Sequence, residues 1–117
     1  MQIIKLNFSN NAAAQDMISL IQKEKNLSGE EAIKFSVNKE IFREIINAGW
    51  ASIALPLWGH DNPNREWNVL DNPFFEFEVD KLTYNLINEL SIKENVDTVT
   101  SVSYFLLFTM QSLGHHI

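Results

Sequence analysis

The chain has 117 residues, a net charge of −6 with neutral histidines, and 45% apolar beside 21% charged residues, which is ordinary for a folded domain and excludes an intrinsically disordered chain. The acidic balance argues against direct binding to nucleic acid or to an anionic membrane, because both depend on Lys and Arg. Cysteine is absent, which excludes disulfides, thiolate nucleophiles and Cys-based metal sites.

The first residues predict a strand followed by a helix. Residues 2–8 alternate apolar and polar side chains, which is typical of a half-buried strand. Residues 11–25 carry apolar side chains at helical spacing after a run of capping residues. No basic leader precedes an apolar run, and the longest continuous apolar stretch, residues 105–108, is too short to span a bilayer. We therefore expect a soluble, cytoplasmic protein.

The next segments predict helices and a second strand. Ser28 opens a capping box, and Asn38 can cap a helix that ends at Gly49. This pattern leaves open whether residues 28–48 form one bent helix or two. Residues 50–57 alternate in a way that resembles a strand, and Pro56 restricts that strand to an edge of a sheet or lies at the strand's end.

Two Asp-Asn-Pro triplets, at residues 61–63 and 71–73, predict turns, because Asp and Asn side chains bond their own backbone and Pro fixes its φ angle. The triplets bracket residues 65–70, which we predict to be a short extended piece. Residues 74–79 alternate Phe and Val with Glu and predict a strand that pairs with this piece. The result would be a hairpin with an acidic outer face.

The last third of the chain predicts two helices. Asp80 can cap the first, which is amphipathic. Residues 98–113 are ambiguous, because their apolar spacing fits a helix while their Val, Thr, Tyr and Phe content favours a strand. We take this segment as a helix, since it is long for a strand and Gly114 is placed to end it.

These elements predict the α+β class for a single domain over residues 1–117. We expect a small, mainly antiparallel sheet packed against four or five helices. The predicted strands of this sheet are residues 2–8, 50–57, 65–70 and 74–79.

No motif in the sequence identifies a reaction. The glycines are isolated, and no Ser lies in a nucleophile elbow. His60, Asp61 and Glu66 could form a small acid–base or metal cluster, but no recognised ligand spacing is present, so we interpret His60 as a solvated loop residue. His115 and His116 resemble a frayed tail. We predict no catalytic residue, no metal ligand, no cofactor and no enzymatic activity.

The segment from Trp58 to Asp80 is the candidate contact surface. It holds two Trp, three Phe and six carboxylates against one Arg and one His. A plain solvated strand explains Glu76 and Glu78, but contact with a basic protein is the alternative. We expect one Trp in the core and Trp67, between two turns, to be exposed. The candidate partner-binding residues are Trp58, Asp61, Glu66, Trp67, Asp71, Glu76, Glu78 and Asp80.

The chain resembles the immunity proteins that accompany bacterial toxins, including those of contact-dependent growth inhibition. The resemblance rests on its small size, absent cysteine, acidic balance, lack of a catalytic constellation and aromatic-acidic loop. The resemblance implies a cytoplasmic protein that binds a cognate toxin, often a nuclease with a basic substrate groove, and covers its active site. One alternative is an acidic nucleic-acid mimic that inhibits a host DNA-binding protein. Another is a small enzyme or ligand-binding protein, which a pocket formed by His60, Glu66 and Trp67 would support.

Overall fold

The computed structural model describes residues 1–59 and 66–115, and within these ranges it has an α+β fold with two strands and six α-helices. The elements in chain order are β1 (Gln2–Asn7), α1 (Ala12–Lys25), α2 (Gly29–Ser36), α3 (Lys39–Ala48), α4 (Ala51–Ala54), a 3-10 turn (Leu55–Leu57), β2 (Phe74–Val79), α5 (Lys81–Glu94) and α6 (Thr98–Ser112). None of the helices in these ranges has the length and apolar character that a membrane crossing requires.

The last helix, α6, forms the centre of the core. Every residue from Ser101 to Met110 is buried, and α1, α2, α3 and α5 all contact this helix. Hydroxyls in such a helix need local acceptors: Ser103 Oγ and Thr109 Oγ1 each donate at 2.8 Å to the carbonyl four residues earlier. Ser101 Oγ donates to the Ile87 carbonyl of α5 at 2.8 Å. The predicted final helix is confirmed.

The helix boundaries follow the capping residues. Ser28 Oγ accepts from the backbone N–H of Glu31 at 3.1 Å, and the Glu31 carboxylate accepts from the Ser28 N–H at 3.0 Å. Asn38 Oδ1 caps α3, and Gly49 ends that helix with a φ angle of 70°, a conformation that favours glycine. Residues 28–48 therefore form two helices, α2 and α3.

The predicted strand at residues 50–57 is wrong, because this segment forms α4 and the 3-10 turn. Its core contacts are made by Ala51, Ala54 and the following Trp58, which are spaced by three and four residues as on a helix. The apolar side chains of the segment fit a period of two and a helical period at once. The residues that contact the core follow the helical spacing, so the segment is helical.

The predicted strand at residues 74–79 is confirmed as β2, but the predicted hairpin is wrong. β2 pairs antiparallel with β1, so that Gln2 lies opposite Val79 and Asn7 opposite Phe74. Residues 66–70 have no regular secondary structure, and residue 65 lies outside the described residues. Both strands have an apolar inner face. Pairing in one sheet lets the same helices bury both of these faces.

The structure describes only the second of the two predicted turns. The second triplet, residues 71–73, leads into β2: Asn72 Oδ1 accepts from the Phe74 N–H at 3.1 Å, and the Pro73 carbonyl accepts from the Phe8 N–H at 3.0 Å. The first triplet, residues 61–63, lies outside the described residues.

We predict that Phe105→Ala lowers the free energy of unfolding by about 3–5 kcal/mol, because Phe105 is fully buried at the centre of α6 and its ring stacks on Phe42 at 6.4 Å between centroids. Urea denaturation measures this loss. Ile92→Ala is the control, since Ile92 is exposed on α5, and it should change stability by less than about 0.5 kcal/mol. Equal losses in the two variants would contradict the central position of α6.

Candidate functional site

Two buried polar side chains of α1, Gln15 and Asp16, fix the segment at residues 66–70. Asp16 Oδ1 accepts from the Asn68 backbone N–H at 3.0 Å and from Asn68 Nδ2 at 2.9 Å. Gln15 Oε1 accepts from the Leu70 backbone N–H at 3.0 Å. These acceptors occupy the amides that a neighbouring strand would otherwise bond, which is the physical reason why the predicted hairpin does not form.

Trp58 belongs to the core. Its side chain is 2% exposed, and its Nε1–H donates to Asp16 Oδ2 at 2.8 Å. Trp67, by contrast, is 36% exposed, so the expectation of one core and one partly exposed tryptophan is confirmed. Burial removes Trp58 from the candidate contact surface, because almost none of its side chain can reach a partner.

The anchored segment presents its alternate side chains to solvent. We call residues 66–71 the anchored ridge. Trp67 is 36% exposed, and Val69 is 73% exposed. The exposed carboxylates Glu66 and Asp71 lie at the two ends. Large apolar side chains held outward between carboxylates are typical of a contact surface.

The second part of the surface is the face of the sheet that points away from the helices. This outer sheet face consists of Ile3, Lys5, Asn7, Phe74, Glu76 and Glu78. Ile3 and Phe74 are 59% and 58% exposed. Lys5 Nζ lies 3.3 Å from Glu76 Oε1, and an exposed pair of this kind contributes at most about 1 kcal/mol. Glu78 lies opposite Ile3 and has no ion pair with any described residue.

The carboxylates of the candidate surface have different roles. Asp80 Oδ1 accepts from the Thr83 backbone N–H at 2.7 Å and caps α5, and this backbone hydrogen bond lowers the pKa of Asp80 below its ordinary value of 3.8. Asp61, with His60, lies outside the described residues. The carboxylates that remain exposed on the ridge and the outer sheet face are Glu66, Asp71, Glu76 and Glu78.

A groove of about 330 Å³ runs between the ridge and the start of α2. Its floor includes Phe75, whose ring packs so close to Gly29 that a Cβ there would lie 2.8 Å from Phe75 Cε1. The groove is lined by neither Glu66 nor Trp67, so it does not supply the pocket that a ligand-binding protein would need around them. Within the described ranges, no three His, Asp or Glu side chains cluster as metal ligands would.

His115 differs from the frayed tail that the sequence indicates. His115 Nε2 contacts Glu24 Oε1 of α1, which holds this residue against that helix. His116 lies outside the described residues.

Sequence reasoning missed Gln15, Asp16 and the exposed apolar residues Val69, Phe74 and Ile3. Asp16 adjoins the apolar stripe of α1, and a carboxylate in that position is the signal that could have identified a buried anchor. Val69 and Phe74 lie in segments whose alternating pattern predicts extended backbone, and that pattern does not indicate which apolar side chains stay in solvent.

Comparisons of the chain with protein-family models, with curated proteins and with solved structures found no match.

We predict that Asp16→Asn lowers the free energy of unfolding by about 2–3 kcal/mol, because the amide replaces one acceptor oxygen with a donor and the charge-assisted hydrogen bonds are lost. Chemical denaturation measures the change. Asp71→Asn is the matched control, since Asp71 is exposed, and it should shift stability by less than about 0.5 kcal/mol. Similar effects of the two substitutions would show that Asp16 does not anchor the ridge.

We predict that Asp80→Asn flattens the acid side of the stability curve. The pKa of Asp80 is lowered in the folded protein, so its carboxylate stabilises the fold above the ordinary aspartate pKa and loses this contribution as the pH falls through the lowered value. Asn can still cap α5 but does not titrate. The difference in Tm between wild type and variant should therefore shrink from pH 7 to pH 2.5, and parallel curves would exclude a role for this carboxylate.

Proposed function

We propose that the protein is an immunity-type inhibitor that binds and neutralises a cognate toxin through the anchored ridge and the outer sheet face. The observation that supports this most is that residues 66–78 present exposed apolar side chains and exposed carboxylates on one continuous stretch of chain. The apolar residues are Trp67, Val69 and Phe74, and the carboxylates are Glu66, Asp71, Glu76 and Glu78.

The two kinds of side chain support different steps of binding. Carboxylates attract a basic partner at a distance and raise the association rate, an effect that salt weakens. An exposed Trp or Phe supplies contact area that slows dissociation. The net charge of −6 acts in the same direction as the local carboxylates.

The anchoring of the ridge favours tight binding. Asp16 and Gln15 fix the backbone of residues 68 and 70 before any partner arrives. A surface that is already ordered loses less conformational entropy on binding than a free loop does. Trp67 and Val69 are therefore presented in a defined position.

Neutralisation follows if the partner is a nuclease or another enzyme with a basic groove. Carboxylates such as Glu76 and Glu78 would occupy the positions of substrate phosphates, and Trp67 would hold the inhibitor in place. Asp61 remains a predicted contact outside the described residues. Asp80 contributes less, because its carboxylate already caps α5.

The composition of the surface favours this function over mimicry of nucleic acid. A mimic needs carboxylates spaced along an extended face, as phosphates are. Here Ile3, Phe74 and the cation Lys5 interrupt the carboxylates of the outer sheet face. Mixed apolar and charged side chains are typical of contacts between proteins.

We predict that Glu76→Lys with Glu78→Lys weakens partner binding by at least about tenfold and flattens its salt dependence, because two attractive charges become repulsive. The chain serves as bait for proteins from cells that carry its gene, and the affinity of the captured protein is measured at several salt concentrations. Co-expression then tests whether this chain abolishes the toxicity of the captured protein.

Glu44→Lys with Glu89→Lys is the matched control. It makes the same change in charge at exposed positions of α3 and α5, outside the ridge and the outer sheet face. Thermal denaturation verifies that both variants fold, since Glu76→Lys also places a second cation beside Lys5. Equal affinities for the two variants, or a captured protein that is harmless without this chain, would refute the proposed function.

A further inference from the structure

Among the described residues, β1 is the only strand that pairs with β2, and the other edge of β2 carries no strand. The Phe8 N–H donates to the Pro73 carbonyl at 3.0 Å, and this pair continues the register of β1 and β2. In an antiparallel pair, residues that exchange backbone hydrogen bonds alternate with residues whose backbone groups point away. The backbone groups of Phe74, Glu76 and Glu78 therefore point to the free edge of β2.

These edge groups are available for a further strand. The Phe74 N–H bonds Asn72 Oδ1, but the N–H and C=O of Glu76 and Glu78 make no hydrogen bond beyond the β1–β2 pair within the described residues. Both glutamates are exposed, and their side chains lie on the outer sheet face. Backbone hydrogen-bonding groups and carboxylates are thus presented together along one edge.

We propose that the free edge of β2 binds an extended, positively charged segment of the protein partner by strand addition. A strand added in the antiparallel direction would place its side chains directly opposite Glu76 and Glu78, on the same face and two residues apart. Lys or Arg at these two positions would form cross-strand ion pairs. This inference deepens the proposed function and rests on it for the basic character of the partner.

The charges beside each edge favour β2 over β1 as the binding edge, and they favour a basic segment over a second copy of β2. The free edge of β1 presents Ile3 and the cation Lys5, which repels a basic segment. A second copy of β2 would bring glutamate against glutamate, and like charges opposite each other are destabilising. Lys34 lies on the inner side, where its Nζ is 5.4 Å from the Phe77 ring centroid.

The test uses a synthetic peptide of alternating lysine and valine with blocked ends, matched in length to the six residues of β2. NMR-detected hydrogen exchange is measured residue by residue with and without the peptide. We expect slower exchange at the Glu76 and Glu78 amides and unchanged exchange at Ile3 and Lys5. The same peptide N-methylated at every backbone amide keeps its charge, but it cannot donate to the Glu76 and Glu78 carbonyls and its methyl groups obstruct strand pairing, so it should produce no slowing.

Neutral variants measure the contribution of charge without adding a cation beside Lys5. Glu76→Gln with Glu78→Gln should bind the peptide about fivefold more weakly, because two opposite-charge pairs are lost. Glu44→Gln with Glu89→Gln, on α3 and α5, should bind as the wild type does.

Three results would overturn the inference: unchanged exchange at Glu76 and Glu78, slowing at Ile3 and Lys5 instead, or equal effects of the N-methylated peptide. The first would mean that the two glutamates only protect an open edge against association, as charged edge residues commonly do. The assay contains no toxin, so strand addition and toxin neutralisation can fail independently of each other.

Discussion

The candidate surface depends on a buried carboxylate. Asp16 is fully buried in α1, and removing a charge from water costs several kcal/mol unless hydrogen bonds compensate it. Trp58 Nε1 and two donors of Asn68 contribute to that compensation, from positions 42 and 52 residues along the chain. The hydrogen bonds to this carboxylate hold three parts of the chain together: α1, Trp58 after the 3-10 turn, and the anchored ridge.

Gln15 extends the same constraint to the sheet. Its Nε2 donates to the Phe8 carbonyl at 2.7 Å while its Oε1 accepts from Leu70. One side chain thus connects the end of β1 to the ridge. The segment before β2 is held without becoming a strand, and the sheet remains two-stranded within the described residues.

The helices pack against one face of the sheet, and this packing determines which surfaces stay exposed. The helices surround α6 and pack on the inner face of the sheet, where Ile4, Leu6, Phe77 and Val79 are buried. Because the helical layer covers only that face, the outer face keeps Ile3 and Phe74 in solvent. Charged side chains on both strands limit unwanted pairing of such a sheet. The outer sheet face, which supports the proposed function, is therefore exposed because the helices pack on the inner face of the sheet.

The sequence by itself determined most helices and both strands, because caps and periodicity act within a few residues: Ser28, Asn38, Asp80 and Gly49 all end or begin helices where expected. It also identified Glu76 and Glu78 as an outward acidic pair and Trp67 as the more exposed tryptophan. Only the tertiary structure decided that residues 51–57 form α4 and the 3-10 turn, that β2 pairs with β1, and that Trp58 is core. Each of these depends on partners tens of residues away, above all the acceptors Gln15 and Asp16, and local patterns carry no information about which distant group will satisfy a backbone amide.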